Sequence, residues 1–120
     1  MRRFSPAPFI ALAVMTAFAA GPAAAHARLV TAAPPPNATV AAPSTISLTL
    51  TGGMAPAFSA FDLVNAAGEK VPVRIAVGED GKTLTGTLAR PAPAGVYRVD
   101  WRIASGDGHR MTGSYTFTVR

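Results

Sequence analysis

Apolar and polar positions alternate with period two along most of the chain beyond residue 28. Ile46, Leu48 and Leu50 alternate with Ser47 and Thr49. Val71, Val73, Ile75 and Val77 alternate across Pro72, Arg74 and Ala76. Tyr97, Val99, Trp101 and Ile103 alternate with Arg98, Asp100 and Arg102, and Tyr115, Phe117 and Val119 with Ser114, Thr116 and Thr118. A strand turns successive side chains to opposite faces, so this pattern predicts half-buried strands with one face on a core and one in water. Residues 29–32, 58–64 and 83–88 carry a weaker form of it.

Turn-forming residues separate these segments: Pro34-Pro35-Pro36-Asn37, Gly52-Gly53, Asn65-Ala66-Ala67-Gly68, Glu79-Asp80-Gly81 and Pro91-Ala92-Pro93-Ala94-Gly95. Seven short strands at this spacing predict an all-β fold. It would be a seven-stranded Greek-key β-sandwich or barrel, Ig-like or cupredoxin-like. Proline donates nothing to a ladder, so Pro72 predicts that its strand lies at an edge. Trp101, Tyr97, Phe61 and Phe117 are expected to fill the core with the aliphatic residues. All of this describes a scaffold and implies no activity.

The first 25 residues break the pattern. Arg2 and Arg3 precede an apolar run over residues 9–20, Gly21-Pro22 breaks any helix, and Ala23 and Ala25 form an A-x-A cleavage pattern. The run of twelve is shorter than the roughly 20 apolar residues that cross a bilayer. We therefore expect a cleaved export signal over residues 1–25 and one small domain over 26–120. A cut after Ala19 also satisfies the rule but leaves a GPAAA tail of no evident use. The chain has no cysteine, so no disulfide can hold the domain. Without Arg2 and Arg3 the formal charge of +5 falls to +3, and the remaining cations are scattered. Nothing in them resembles a nucleic-acid footprint, and no nucleic-acid partner is expected.

Cleavage after Ala25 would expose His26. An α-amine titrates near pH 7.7–8.0, far below lysine, so it can be deprotonated and bind metal near neutrality. Together with the imidazole Nδ1 of the same residue it closes a six-membered chelate, which an internal histidine cannot do. The only other histidine lies in Ser105-Gly106-Asp107-Gly108-His109. In extended backbone Asp107 and His109 would point to one side. Amine, two imidazoles and a carboxylate form a nitrogen–oxygen set that suits Cu(II), with Zn(II) second because it prefers a tetrahedron. Taken singly these residues also have plain readings. Asp107-Gly108 is an ordinary turn, His109 a surface residue, Met111 a strand residue, Met54 a loop or edge residue, and Asp62 and Asp100 solvent-facing. No catalytic triad or carboxylate pair is suggested.

The succession PAPAGVYRVDWRIASGDGHRMTGSYTFTV, with His26-Ala27-Arg28-Leu29 and AAPPPNATVAAPSTISLTL before it, resembles the CopC-type periplasmic copper-binding proteins over essentially the whole chain from residue 26. The resemblance implies a seven-stranded barrel-like sandwich and one Cu(II) per mature chain, held by His26, Asp107 and His109. It also implies a periplasmic location and a partner such as a CopD-like membrane copper importer or another copper protein. Two departures stand out. Gly52 occupies the place where many relatives carry an acidic residue. Met54 alone cannot build the methionine-rich Cu(I) loop that some relatives have, so a Cu(II)-only carrier or buffer is expected, with no enzymatic activity. Two other classes compete with it. One is a copper oxidase or oxygenase using an N-terminal histidine chelate; the other is a metal-free sandwich domain for protein interaction.

Overall fold

The computed structural model describes residues 28–120; the expected leader over 1–25 and the candidate ligand His26 lie outside the described residues. The alternation seen in the sequence becomes two sheets packed face to face. One holds β1 (Leu29–Ala33), β3 (Thr45–Leu50), β7 (Thr83–Leu88) and β6 (Val73–Val77), in that order across the sheet. The other holds β2 (Thr39–Val40), β9 (Arg110–Val119), β8 (Gly95–Ala104), β4 (Ala60–Val64) and β5 (Lys70–Val71). Among the described strands only β2 with β9 is parallel. The seven longer strands correspond to the seven expected, except that the strand expected over 71–77 breaks at Pro72 and leaves Val71 in β5 of the other sheet. The two additions, β2 and β5, are two residues long, too short to leave a periodicity. Residues 56–58, expected in part as strand, form a 3-10 turn, Pro56–Phe58, that starts on the proline.

Pro72 has a sharper role than an edge residue. It stands between β5, at the edge of one sheet, and β6, at the edge of the other. The residue that cannot donate to a ladder marks the point where the chain leaves one sheet for the other.

Between the sheets lie Ile46, Leu48, Leu63, Leu84, Val99, Ile103, Phe61 and Phe117, each essentially fully buried. Tyr97 stacks on Phe117 with ring centroids 5.8 Å apart, and its hydroxyl donates to the Pro93 carbonyl at 2.6 Å. This ties the proline-rich turn before β8 to the core. Two glycines make room for rings. A Cβ on Gly86 would lie 2.4 Å from the Phe61 ring, and one on Gly113 would lie 2.3 Å from that of Trp101. Trp101 is consequently half-buried rather than central: its ring lies across Gly113 on the neighbouring strand. Met54 departs the other way. It is 6% exposed and belongs to the core, not to a loose edge. Its backbone bridges to Ser105 and its N–H reaches the Gly81 carbonyl, so the loop after β3 is drawn inward.

The Tyr115 hydroxyl is buried and has no hydrogen-bond partner among the described residues. Burial alone pushes its pKa up to about 12, so it stays neutral. An unpaired buried hydroxyl is unfavourable and its removal is not. Tyr115→Phe is therefore expected to unfold at the same or a higher urea concentration than the parent. Gly86→Ala should destabilise the fold by about 1–3 kcal/mol through overpacking against Phe61. Urea titration followed by the fluorescence of Trp101, the single tryptophan, measures both.

Candidate metal centre

Four segments meet at one end of the sandwich: the start of β1, the loop 51–55 after β3, the β6–β7 turn and the β8–β9 turn. Backbone hydrogen bonds join them in sequence. Arg28 N–H donates to the Thr51 hydroxyl at 3.0 Å, and Thr51 N–H donates to the Arg28 carbonyl at 2.8 Å. Gly53 carbonyl accepts from Gly106 N–H at 3.2 Å, and Ala55 N–H donates to the Ala104 carbonyl at 2.8 Å. Met54 N–H reaches Gly81 in the β6–β7 turn at 2.9 Å. Ser59, 4% exposed, fixes the underside: its hydroxyl donates to the Ala55 carbonyl at 2.8 Å and accepts from Ala104 N–H at 3.1 Å. The sequence offered no signal for Ser59 beyond a serine in an otherwise apolar strand approach.

On this base the β8–β9 turn presents Asp107 and His109. Ser105 N–H donates to the His109 carbonyl at 2.8 Å and Gly108 N–H to the Ser105 carbonyl at 3.0 Å, which closes the turn. Gly108 has φ +96°, a conformation that favours glycine over any residue with a Cβ. Asp107 and His109 do come together, with His109 Nδ1 3.0 Å from Asp107 Oδ1. The reason differs from the one expected. They meet through a tight turn with a left-handed glycine, not through two same-side positions of an extended strand.

Asp107 Oδ1 gathers three donors: the Ser105 hydroxyl, the His109 N–H at 3.1 Å and His109 Nδ1. Ser105, which sequence reading passed over, is the largest of them in effect. Its hydrogen bond, then the backbone and side chain of His109, hold the Asp107 carboxyl far below the usual carboxylate range, against a small opposing effect of burial. As it stands the carboxylate orients the imidazole through Nδ1; for Asp107 and His109 to ligate one ion, the ion must take the place of that contact. Both side chains face solvent, 61% exposed for His109 and 32% for Asp107.

Among the described residues no group of three or more His, Cys, Asp or Glu side chains comes close enough to hold a metal. Asp107 and His109 are thus a half-site. Two other carboxylates are engaged elsewhere. Asp62 pairs with Lys70 at 3.5 Å and Arg102 at 3.3 Å, and Asp100 with Arg98 at 2.7 Å. Gly52 lies in the loop next to the turn, and no carboxylate of that loop reaches it. Beside the half-site, Arg110 lies over the ring of Phe58 at 5.9 Å.

A carboxyl with a depressed folded pKa contributes stability above the unfolded value of about 3.9 and loses it as pH falls toward the folded one. The Asp107 side-chain carbon is therefore expected to show no inflection in an NMR titration from neutral pH down to about pH 3.9. The turn should loosen only in stronger acid. An ordinary inflection near that value would mean that the Ser105 and His109 hydrogen bonds do not persist in solution.

The half-site and its frame have counterparts in known proteins. The CopC domain family matches residues 29–120. The copper resistance protein C of Xanthomonas campestris pv. juglandis is 37% identical over 114 residues, covering 89% of this chain and 90% of its own. That of Pseudomonas syringae pv. tomato is 40% identical over 118 residues, covering 88% and 94%. Among solved structures, the crystal structure of PcoC, a methionine-rich copper resistance protein from Escherichia coli, superposes with a TM-score of 0.75 at 38% identity. It covers 80% of this chain and all of that one. CopC from Methylosinus trichosporium OB3b gives 0.71 at 33% identity, covering 78% and 93%. With the family matched across the described fold and relatives alike over nearly their full length, this chain belongs to the CopC domain family.

Proposed function

We propose that this protein is a periplasmic copper-binding protein of the copper-resistance type. It would hold one Cu(II) per chain through His26, Asp107 and His109 and act as a carrier or buffer, without catalysis. The observation that supports this most directly is the run of backbone bonds from Arg28 through Thr51 and Gly53 to Gly106. It fixes the start of β1 beside the turn that carries Asp107 and His109. Residue 26 is two residues upstream of Arg28, a reach of about 7 Å along extended chain. An export signal cut after Ala25 would deliver both an α-amine and an imidazole to the half-site. The set becomes amine nitrogen, two imidazole nitrogens and a carboxylate, which suits a tetragonal Cu(II) ion. The solvent-facing position of Asp107 and His109 suits a site that loads and releases its metal. A membrane copper importer or a second copper protein would be the recipient.

In this reading the amine is a ligand, so processing and binding are one event. Mass spectrometry of the exported protein should give His26 as its first residue. Adding one residue ahead of it turns the amine into an amide. The loss should exceed the roughly 10–100-fold typical of removing an outer-shell partner, with a changed Cu(II) EPR spectrum. Equal affinity with and without the added residue would exclude the chelate.

A further inference from the structure

We propose that the end of the sandwich away from the Asp107–His109 turn carries a binding site for an anionic amphiphile, a single apolar chain ending in a carboxylate or phosphate. The inference goes beyond the copper reading and shares no residue with it.

The site lies where β6 begins and β7 ends. Val73 pairs with Leu88 there, a whole ladder away from the β6–β7 turn that takes the Met54 N–H. One hollow of about 380 Å³ is lined by Val73, Arg74, Thr87 and Leu88, and a second of about 380 Å³ by Val71, Arg90, Ala92 and Pro93. Pro72 and Ala89 line both, which makes the two neighbours across one wall. A third, of about 170 Å³, runs on from Arg90 and Pro91 to Pro43 and Ser44. Hollows of this size with mostly apolar walls and a few polar groups are the usual form of small-molecule sites.

The walls are held in place. Proline fixes its own backbone φ, and Pro43, Pro72, Pro91 and Pro93 all stand in them. Leu88 N–H donates to the Ser44 carbonyl at 3.0 Å, and the Tyr97 hydroxyl ties down the Pro93 carbonyl at 2.6 Å. A groove with its shape set in advance loses little freedom when a ligand enters.

Charge selects the ligand. Arg98 and Arg102 hold carboxylates, Arg110 lies on Phe58, and Arg120 donates to the Thr39 carbonyl. The guanidiniums of Arg74 and Arg90 have no hydrogen-bond or ion-pair partner among the described residues, and no acidic side chain lines the three hollows. A guanidinium fork matches a carboxylate or a phosphate, and apolar walls match a hydrocarbon chain. A protein partner would seat on large exposed anchors. Val30, Phe58 and Val96, the large apolar residues exposed among the described residues, line none of these hollows.

Octanoate, octyl phosphate and octanol are the probes, titrated into the 15N-labelled exported chain without added metal. Octanoate and octyl phosphate should shift the amides of Val73, Leu88, Ala89 and Ala92 and leave those of Asp107 and His109 still. Octanol should bind more weakly, and acetate should not bind. Arg74→Gln with Arg90→Gln should weaken octanoate binding about fivefold and leave octanol binding as it was. Vesicles distinguish the source of the chain. Loss of the same amide signals on phosphatidylglycerol but not phosphatidylcholine vesicles, with free octanoate silent, assigns the site to a membrane lipid; a response to free octanoate assigns it to a soluble amphiphile. Silence of these amides toward both overturns the proposal. So does octanol binding as tight as octanoate, an unaffected double variant, or shifts confined to the Asp107–His109 turn. None of these readouts involves copper, so the outcome is independent of the Cu(II) reading.

Discussion

The strap between the loop after β3 and the end of β8 is the constraint on which the rest of this end depends. Three backbone contacts make it: Gly53 with Gly106, Met54 with Ser105 and Ala55 with Ala104. They join a strand of one sheet to a turn of the other, where each would otherwise leave backbone polar groups without partners. Burial of Met54 and Ser59 keeps water from competing for these bonds. The same loop, at Thr51, also takes both backbone groups of Arg28, so one segment sets the position of the chain start and of the Asp107–His109 turn. A metal site whose ligands are far apart in sequence needs such a frame, because neither turn nor terminus could fix its own distance to the other.

Upon that frame the chemistry is local. Ser105, Asp107, Gly108 and His109 form a turn closed by its own hydrogen bonds, with a left-handed glycine at its apex. Solvent exposure would let most side chains wander. Here three donors converge on one carboxylate oxygen and hold the imidazole in a single orientation. Preorganisation of this kind keeps a site selective in geometry although it stays open to water and to exchange of its metal. The next residue, Arg110, lies with its guanidinium over the Phe58 ring.

The fold was legible where the period-two signal was long. Ile46 to Leu50 and Tyr97 to Ile103 read directly as strands because each had three or more apolar positions on one face. The two-residue strands were invisible, since two residues carry no period. Trp101 was misplaced to the centre of the core because alternation gives a face but not the space available; Gly113 supplies that space on the next strand. Met54 was misread as loose because Gly52-Gly53 signals a turn, whereas a bridge to a distant strand decides its burial.

Of the candidate site, composition and spacing alone determined its residue types. With two histidines, no cysteine and an Asp-Gly-His run there were few ways to make a nitrogen–oxygen ligand set, and the small residues before His26 pointed to a cut that would create an amine there. Local sequence also fixed the meeting of Asp107 with His109, since a turn that short leaves its ends nowhere else to go. The tertiary structure decided what local sequence cannot carry. It brought the start of β1 to the same end as that turn through Thr51 and Gly53. This depends on hydrogen bonds between segments dozens of residues apart, whose register is set by the packing of two sheets and leaves no trace in the spacing of the residues themselves.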